Sequence, residues 1–170
     1  MNILFINGSP NKNGNTAALA EELLRGKAYE TLNLTDYTIG AYGQQLPGDE
    51  LDTIISAMEK ANVIVLGSPL YWHNICGSLR NVLDRFYGRV DSNALSGRTL
   101  YFLFQGASPE KWMLEAGEYT IKRFASLYGM TYICLLYTSY GLLHGRSLRQ
   151  RCSGSWMRQK RLTMICIDVI

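Results

Sequence analysis

The sequence predicts a three-layer α/β sandwich, in which helices cover both faces of a five-stranded parallel sheet. Short apolar runs of strand length alternate along the chain with longer segments of helical periodicity, a pattern that favours right-handed β-α-β connections. The length of 170 residues is enough for one domain with a sizeable core, and no internal repeat or linker divides it. The chain is therefore predicted to fold as one unit.

Five runs of apolar or alternating residues predict the strands. The third and fourth runs, Val63-Ile-Val-Leu66 and Leu100-Tyr-Phe-Leu-Phe104, are continuously apolar, as expected for parallel strands buried on both faces. In chain order the predicted strands are 3–6, 29–34, 63–66, 100–104 and 132–136. Apolar residues at helical spacing predict helices over 17–24, 51–58, 79–86 and 112–128, and the main loops fall at 35–48, 67–77 and 105–109.

Composition narrows the class of protein. Apolar residues make up 47% of the chain and charged residues 18%, which is ordinary for a folded soluble protein. No apolar stretch is long enough to span a bilayer and the start of the chain lacks a signal-peptide layout, which predicts a cytoplasmic location and no membrane partner. Cys76, Cys134, Cys152 and Cys166 are widely spaced, which favours buried, reduced thiols and no metal site.

The net charge of +3 is unevenly distributed. Residues 1–143 hold 11 Lys/Arg against 13 Asp/Glu, whereas residues 144–170 hold 6 against 1. We therefore divide the chain into a ligand-binding domain, 1–143, and an atypical basic tail, 144–170, for which a terminal helix is one interpretation. The tail could serve as a nucleic-acid or anionic-membrane patch, but a solvated helix face is the preferred interpretation, and no nucleic-acid partner is predicted.

The segment Asn7-Gly-Ser-Pro-Asn-Lys-Asn-Gly-Asn-Thr16 joins the first strand to the first helix and carries the clearest chemical signal. The first amides of a helix lack intrahelical acceptors and lie at the positive end of its dipole. Hydroxyl and amide side chains and two glycines surround them here, which suits a terminal monophosphate. The spacing matches neither the nucleoside triphosphate loop nor the dinucleotide fingerprint. An ordinary capped turn is the alternative.

Two further loops are expected at the same edge of the sheet, since ligands of open α/β sheets bind outside the carboxyl ends of the strands. Segment 67–77 combines Pro69, Tyr71 and Trp72 with Asn74, which suggests a ligand with a flat ring at its other end. Half-buried surface aromatics or a subunit contact would explain the same residues. Segment 105–109 follows the fourth strand and would close the crevice.

Three motifs together resemble a known family. They are Gly8-Ser-Pro-x-x-x-Gly-Asn-Thr16, Gly67-Ser-Pro-Leu-Tyr-Trp72 and Gly77-Ser-Leu-Arg-Asn-Val-Leu-Asp-Arg85. This arrangement resembles the flavodoxin-like NAD(P)H-dependent FMN reductases and quinone reductases, over residues 1 to about 133. The resemblance implies a flavodoxin-like sheet with strand order 2-1-3-4-5. The iron–sulfur branch carries a cysteine cluster after the second strand, whereas residues 40–47 here contain no cysteine.

The resemblance also implies roles for individual residues. The FMN phosphate would be held by Ser9, Lys12, Gly14, Asn15 and Thr16. The isoalloxazine ring would contact Pro69, Leu70, Tyr71, Trp72, Asn74 and Ile75, and Gln105, Gly106 and Ala107 would flank its far side or the ribityl chain. Members of the family often form dimers, which predicts a homodimer.

The expected activity is electron transfer from NADH or NADPH through FMN to a quinone, a free flavin or a similar small acceptor. The flavin N5 performs the chemistry and the protein supplies placement, which requires no catalytic side chain. His73 could donate a proton to a substrate, although a plain surface histidine is the preferred interpretation. A flavodoxin-type electron carrier without turnover, and a phosphate-ligand binder without flavin, are the alternatives.

Overall fold

The computed structural model describes residues 1–139, 149–152 and 155–158. Five parallel strands form the centre of one sheet in the order β2-β1-β3-β5-β6. This is the predicted order 2-1-3-4-5, because β4 is a short extra strand. The five are β1 (Ile3–Asn7), β2 (Glu30–Asn33), β3 (Val63–Tyr71), β5 (Thr99–Gly106) and β6 (Thr131–Ser139).

Four α-helices connect the strands and cover both faces of the sheet. They are α1 (Asn15–Leu23), α2 (Leu51–Lys60), α3 (Gly77–Phe86) and α4 (Lys111–Leu127), and a 3-10 helix spans Leu34–Asp36. Alternate residues of β1 enter different cores, since Leu4 and Ile6 pack with α2 and α3, whereas Ile3 and Phe5 pack with α1. The three-layer sandwich is confirmed, with separate apolar clusters on the two sides of the sheet.

Three short antiparallel strands were not predicted. β4 (Asn74–Ile75) folds back on the end of β3, and β7 (Arg149–Cys152) and β8 (Ser155–Arg158) extend the sheet beyond β6. Within the basic tail 144–170, the described residues are therefore strands, and the rest of the tail lies outside the described residues. None of the described helices has the length and apolar character needed to cross a membrane.

The segment predicted as a loop over 67–77 is only partly a loop. β3 continues through Pro69 to Tyr71, because Pro69 is in register with Gln105 of β5 and Leu70 with Ile75 of β4. β5 likewise runs on to Gly106. Two strands therefore carry their side chains further toward the carboxyl edge than the apolar runs indicated.

A mostly buried ion pair joins helix α3 to the long loop that precedes α2. Arg85 Nη1 lies 2.7 Å from one carboxylate oxygen of Asp49 and Nη2 lies 3.2 Å from the other. Asp49 also accepts the amides of Gly40 and Leu51, at 3.1 Å each. The hydrogen bond from Arg85, with these amides, lowers the pKa of Asp49 to about 2. The polar loop is thereby held against the helix that follows β3.

Candidate functional site

The three chemically distinctive loops lie at the carboxyl edge of neighbouring strands. β1 and β3 are adjacent, with Asn7 paired to Gly67, and β3 and β5 are adjacent, with Pro69 paired to Gln105. The chain leaves β1 toward β2 on one side, and β3 lies on the other side. Such a switch in direction opens a crevice above the strand ends, which is where ligands bind in sheets of this kind.

The base of the first loop is fixed by hydrogen bonds from its first two backbone amides. The Gly8 amide donates to the Gly67 carbonyl oxygen at 2.8 Å, and the Ser9 amide donates to Asn7 Oδ1 at 3.0 Å. Asn7 is fully buried, and its Nδ2 donates to Asn33 Oδ1 at 3.1 Å. A buried amide side chain at the end of β1 thus orients the start of the loop.

The remainder of the loop is held by short turns of its own. The Asn11 amide donates to Ser9 Oγ, the Asn13 amide to Asn11 Oδ1, and the Gly14 amide to the Asn11 carbonyl, at 3.1, 3.1 and 3.2 Å. Because Ser9 Oγ accepts here, its own hydroxyl hydrogen remains available for a ligand. The loop is therefore ordered by its polar side chains, with donors left over.

The amino terminus of α1 fits a phosphate. Its first residue is Asn15, and its N-cap residue, Gly14, provides no side-chain cap. Thr16 is buried, and a Cβ on Gly67 would lie 2.7 Å from its Cγ2 methyl, so backbone and side chain approach closely at this point. Uncapped amides, a positive dipole end and adjacent hydroxyls form the donor set that a phosphate dianion requires.

The predicted cation of the loop has a partner. Lys12 Nζ forms a salt bridge with Asp36 in the 3-10 helix, and the two side chains are 49% and 43% exposed. Solvent-exposed pairs of this kind are weak, about 0 to 1 kcal/mol. The side chain of Lys12 is therefore held only weakly by Asp36, and its contact with a phosphate stays a prediction.

The second loop is a tight hairpin with unusual residues at its tip. Tyr71 pairs with Asn74 across β3 and β4, leaving Trp72 and His73 as the two loop residues, with φ of 44° and 66°. Two-residue turns of this handedness prefer Asn and Gly, because other residues are strained at positive φ. Strain of about 1 to 3 kcal/mol per residue is a feature of functional sites, where the side chain is needed in that place.

Aromatic groups are concentrated around this tip. Trp72 is 93% exposed and Tyr71 51% exposed. The His73 ring lies 6.2 Å from the Trp72 ring and 5.0 Å from the ring of Trp112, which is near the start of α4. Sequence reasoning missed Trp112, because nothing in its local pattern links it to residue 73. The hairpin presents large flat surfaces to solvent beside the crevice.

The other predicted ring contacts are arranged around the hairpin. Asn74 is half-buried and its Oδ1 accepts the Ile75 amide at 2.8 Å, while Ile75 itself is buried. A Cβ on Gly106 would lie 3.1 Å from Leu70 Cβ, which brings the end of β5 against β3. Gln105 is half-buried and Ala107 is exposed, at the mouth of the third loop. All the predicted site residues therefore lie at one edge of the sheet.

A groove of about 1100 Å³ lies at the opposite edge, between β1, β2 and α2. It is lined by residues that include Tyr29, Tyr37, Asp52 and Lys60. None of the three loops contributes to it, and it faces the amino ends of the strands. The composition of the loops favours the carboxyl edge as the ligand site, and so does the rule that ligands of open sheets bind outside the carboxyl ends of the strands. Among the described residues no cluster of metal-binding side chains is present.

Residues 1–134 match the family described as NADPH-dependent FMN reductase. The chain belongs to this family. Membership assigns FMN as the cofactor and NAD(P)H as the electron donor of the family. The uncapped amino terminus of α1, the close backbone approach at Gly8 and Gly67 and the buried hydroxyls fit the FMN phosphate. The predicted family is confirmed. The predicted roles of single residues remain predictions.

Similarity to individual proteins agrees with the family. An iron–sulfur flavoprotein of Archaeoglobus fulgidus is 34% identical over 97 residues, 50% of this chain and 48% of the relative. YwqN of Bacillus subtilis, provisionally named an NAD(P)H-dependent FMN-containing oxidoreductase, is 32% identical over 94 residues, 51% and 52% of the two chains. The matches thus span about half the length of these relatives.

Solved structures show the same fold at lower identity. The Trp repressor binding protein from Bacillus subtilis superposes with a TM-score of 0.63 at 22% identity, over 81% of this chain and 87% of that one. Such a likeness shows the fold alone. The flavodoxin, WrbA-like protein from Agrobacterium tumefaciens superposes with a TM-score of 0.57 at 18% identity, over 76% of this chain and 74% of that one, which confirms the flavodoxin-like fold.

Proposed function

We propose that this protein is a cytoplasmic oxidoreductase that binds FMN and transfers electrons from NAD(P)H to a quinone, a free flavin or a similar small acceptor. The observation that carries the proposal is the placement of a phosphate-type helix terminus and an exposed aromatic hairpin at one sheet edge. The strand pairing that brings them together lies entirely within residues 1–143, the proposed FMN-binding domain. Bound FMN would supply the redox chemistry, which is two-electron transfer from NAD(P)H to the acceptor.

The first loop would hold the phosphate end of FMN. Amides at the start of α1 and the hydroxyls of Ser9 and Thr16 are donors, and hydrogen bonds to a charged group contribute about 1.5 to 3 kcal/mol each. Lys12 would add a cation by leaving Asp36, at small cost. Neutral, fixed donors therefore provide most of the phosphate affinity.

The hairpin would hold the ring end and the acceptor. Its strained tip keeps Trp72 in solvent. Burial of an indole ring is favourable, so this exposure leaves free energy to be gained when a ligand covers the ring. A flat ligand placed against Tyr71 and Trp72 would bury this surface and exclude water from the reacting face. Flat acceptors such as quinones and free flavins match that surface in shape and polarity.

We also propose a homodimer, formed through an apolar surface between α3 and α4. A groove of about 510 Å³ there includes Tyr42, Tyr87 and Leu127, which are 61%, 72% and 50% exposed. Asp84 and Arg123 also line it. Two copies related by a two-fold axis could pair the acid of one with the base of the other, which makes the surface self-complementary. Light scattering should give twice the chain mass, and Tyr87→Glu should give a monomer.

The activity is tested by loading the protein with FMN and titrating it with NADPH, then with NADH, under anaerobic conditions. The proposal predicts loss of the flavin absorbance band, and its return when a soluble quinone is added. Multiple turnovers with quinone distinguish a reductase from an electron carrier. FMN that binds but is reduced by neither nucleotide would refute the proposed activity.

A further inference from the structure

Two side chains from the start of α3 donate to one backbone oxygen of the first loop. Ser78 Oγ lies 2.7 Å from the Gly8 carbonyl oxygen, and Cys76 Sγ lies 3.2 Å from the same atom. The two donors are 3.3 Å apart. We call Gly8, Cys76 and Ser78 the Gly8 clamp. It joins the phosphate loop to the helix that follows the aromatic hairpin.

The clamp completes the hydrogen bonding at the base of the loop. The Gly8 amide is already bonded to Gly67, and the next amide, of Ser9, is bonded to Asn7 Oδ1. With the Gly8 carbonyl bonded as well, both peptide planes that flank Gly8 are fixed. The Cys76 amide in turn donates to Ser68 Oγ at 2.9 Å, which anchors the clamp to β3.

Close packing makes this arrangement specific. An ideal Cβ on Gly8 would lie 2.8 Å from Cys76 Sγ and 3.0 Å from the Gly67 carbonyl oxygen. The loop and α3 therefore meet at a distance that only glycine permits. Cys76 is buried and Ser78 half-buried, so the hydrogen bonds of the clamp are protected from competing water.

We propose that Ser78, assisted by Cys76, is a positioning residue for the FMN phosphate. A carbonyl oxygen is partly negative, and the clamp holds that of Gly8 toward α3, where it does not face a bound phosphate. It also links the loop that binds the phosphate to the segment that carries the ring contacts. This inference rests on the proposed placement of FMN, although Ser78 itself touches no part of the cofactor.

The test compares FMN with riboflavin, which has the same ring and no phosphate. Dissociation constants of both are measured by quenching of flavin fluorescence for wild type, Ser78→Ala, Ser78→Thr and a control, Ser56→Ala. Ser56 is exposed on α2, far from the three loops. Losing one hydrogen bond should weaken FMN binding about threefold to tenfold in Ser78→Ala. Riboflavin binding should change by less than about twofold, because the clamp acts on the phosphate loop.

Ser78→Thr retains the hydroxyl and should restore the preference for FMN, and Ser56→Ala should match wild type. Equal losses of FMN and riboflavin affinity in Ser78→Ala would show a merely structural role and overturn the inference. An unchanged FMN affinity would also overturn it. The experiment measures binding, so it tests the positioning role of Ser78 independently of turnover. Failure of the proposed activity would instead appear as absence of NAD(P)H oxidation.

Discussion

Replacing Thr16 by valine should weaken FMN binding without disturbing the fold. Thr16 is the second residue of α1 and is 1% exposed. Its methyl faces Gly67, where a Cβ would lie 2.7 Å away, so this contact belongs to the packing between α1 and β3. Valine has the same shape and retains that methyl, and both residues have similar helix propensity. The change therefore removes one hydroxyl and little else.

The size of the effect follows from the charge of the ligand. A hydrogen bond to a charged group contributes about 1.5 to 3 kcal/mol, which corresponds to an increase in Kd of about 10-fold to 150-fold. Riboflavin lacks the phosphate, and its Kd should change by less than about twofold.

Thr16→Ser provides the matched control, because it retains the hydroxyl and removes the buried methyl. FMN affinity should stay near that of wild type, while the free energy of unfolding should fall by about 1 kcal/mol for the lost methyl. Fluorescence quenching gives the Kd values and urea denaturation gives the stabilities. If Thr16→Val bound FMN as wild type does, or lost riboflavin affinity to the same degree, the phosphate site would be placed wrongly.

Three further predictions concern residues around the loop and α3. Asp36→Asn should tighten FMN binding about twofold to fivefold, because Lys12 is released and a carboxylate near the phosphate is removed; weaker binding in calorimetry would contradict this. Gly8→Ala should destabilise the fold by about 1 to 3 kcal/mol through overpacking against Cys76, and an unchanged urea midpoint would contradict it. Arg85→Met should reduce stability at pH 7 by about 2 kcal/mol and flatten acid unfolding between about pH 4 and pH 2.

The sign of the last effect follows from the direction of the pKa shift. The hydrogen bond from Arg85, together with the amides of Gly40 and Leu51, lowers the pKa of Asp49 from 3.8 to about 2 in the folded protein. The ionised form is thus favoured by folding, and its contribution is present above the unfolded pKa and lost as the pH falls through the folded one. Arg85→Met removes the largest part of this contribution and leaves the two amide hydrogen bonds in place. A variant that kept the acid dependence of wild type in that range would contradict the assignment.

The sheet could be predicted from the sequence because most of its parallel strands contain a short apolar run, such as Val63-Ile-Val-Leu66 and Leu100-Tyr-Phe-Leu-Phe104. The extension of β3 through Pro69 could not, since proline usually marks the end of a strand. Its register with Gln105 and the fold-back of β4 depend on contacts distant in sequence or on a strained turn. Local pattern carries no information about either.

The candidate site could be predicted only where local sequence pattern carries its chemistry. The loop residues could be proposed from the sequence, since a phosphate site calls for glycine, hydroxyl and amide residues at a helix start, and their roles stay predictions. Ser78 and Trp112 were missed, because their roles arise from contacts with Gly8 and His73, 70 and 39 residues away in the chain. Asn7 left a detectable signal, as a polar residue at the end of an apolar strand.

The proposed function depends on binding of the FMN phosphate at the amino terminus of α1. A crystal structure of the protein with FMN tests it most directly. We expect a phosphorus atom above the first turn of α1, with Ser9 Oγ, Thr16 Oγ1 and the amide of Asn15 within hydrogen-bond distance of the phosphate oxygens. Phosphate bound elsewhere, for instance in the groove beside Tyr29 at the opposite edge of the sheet, would contradict it.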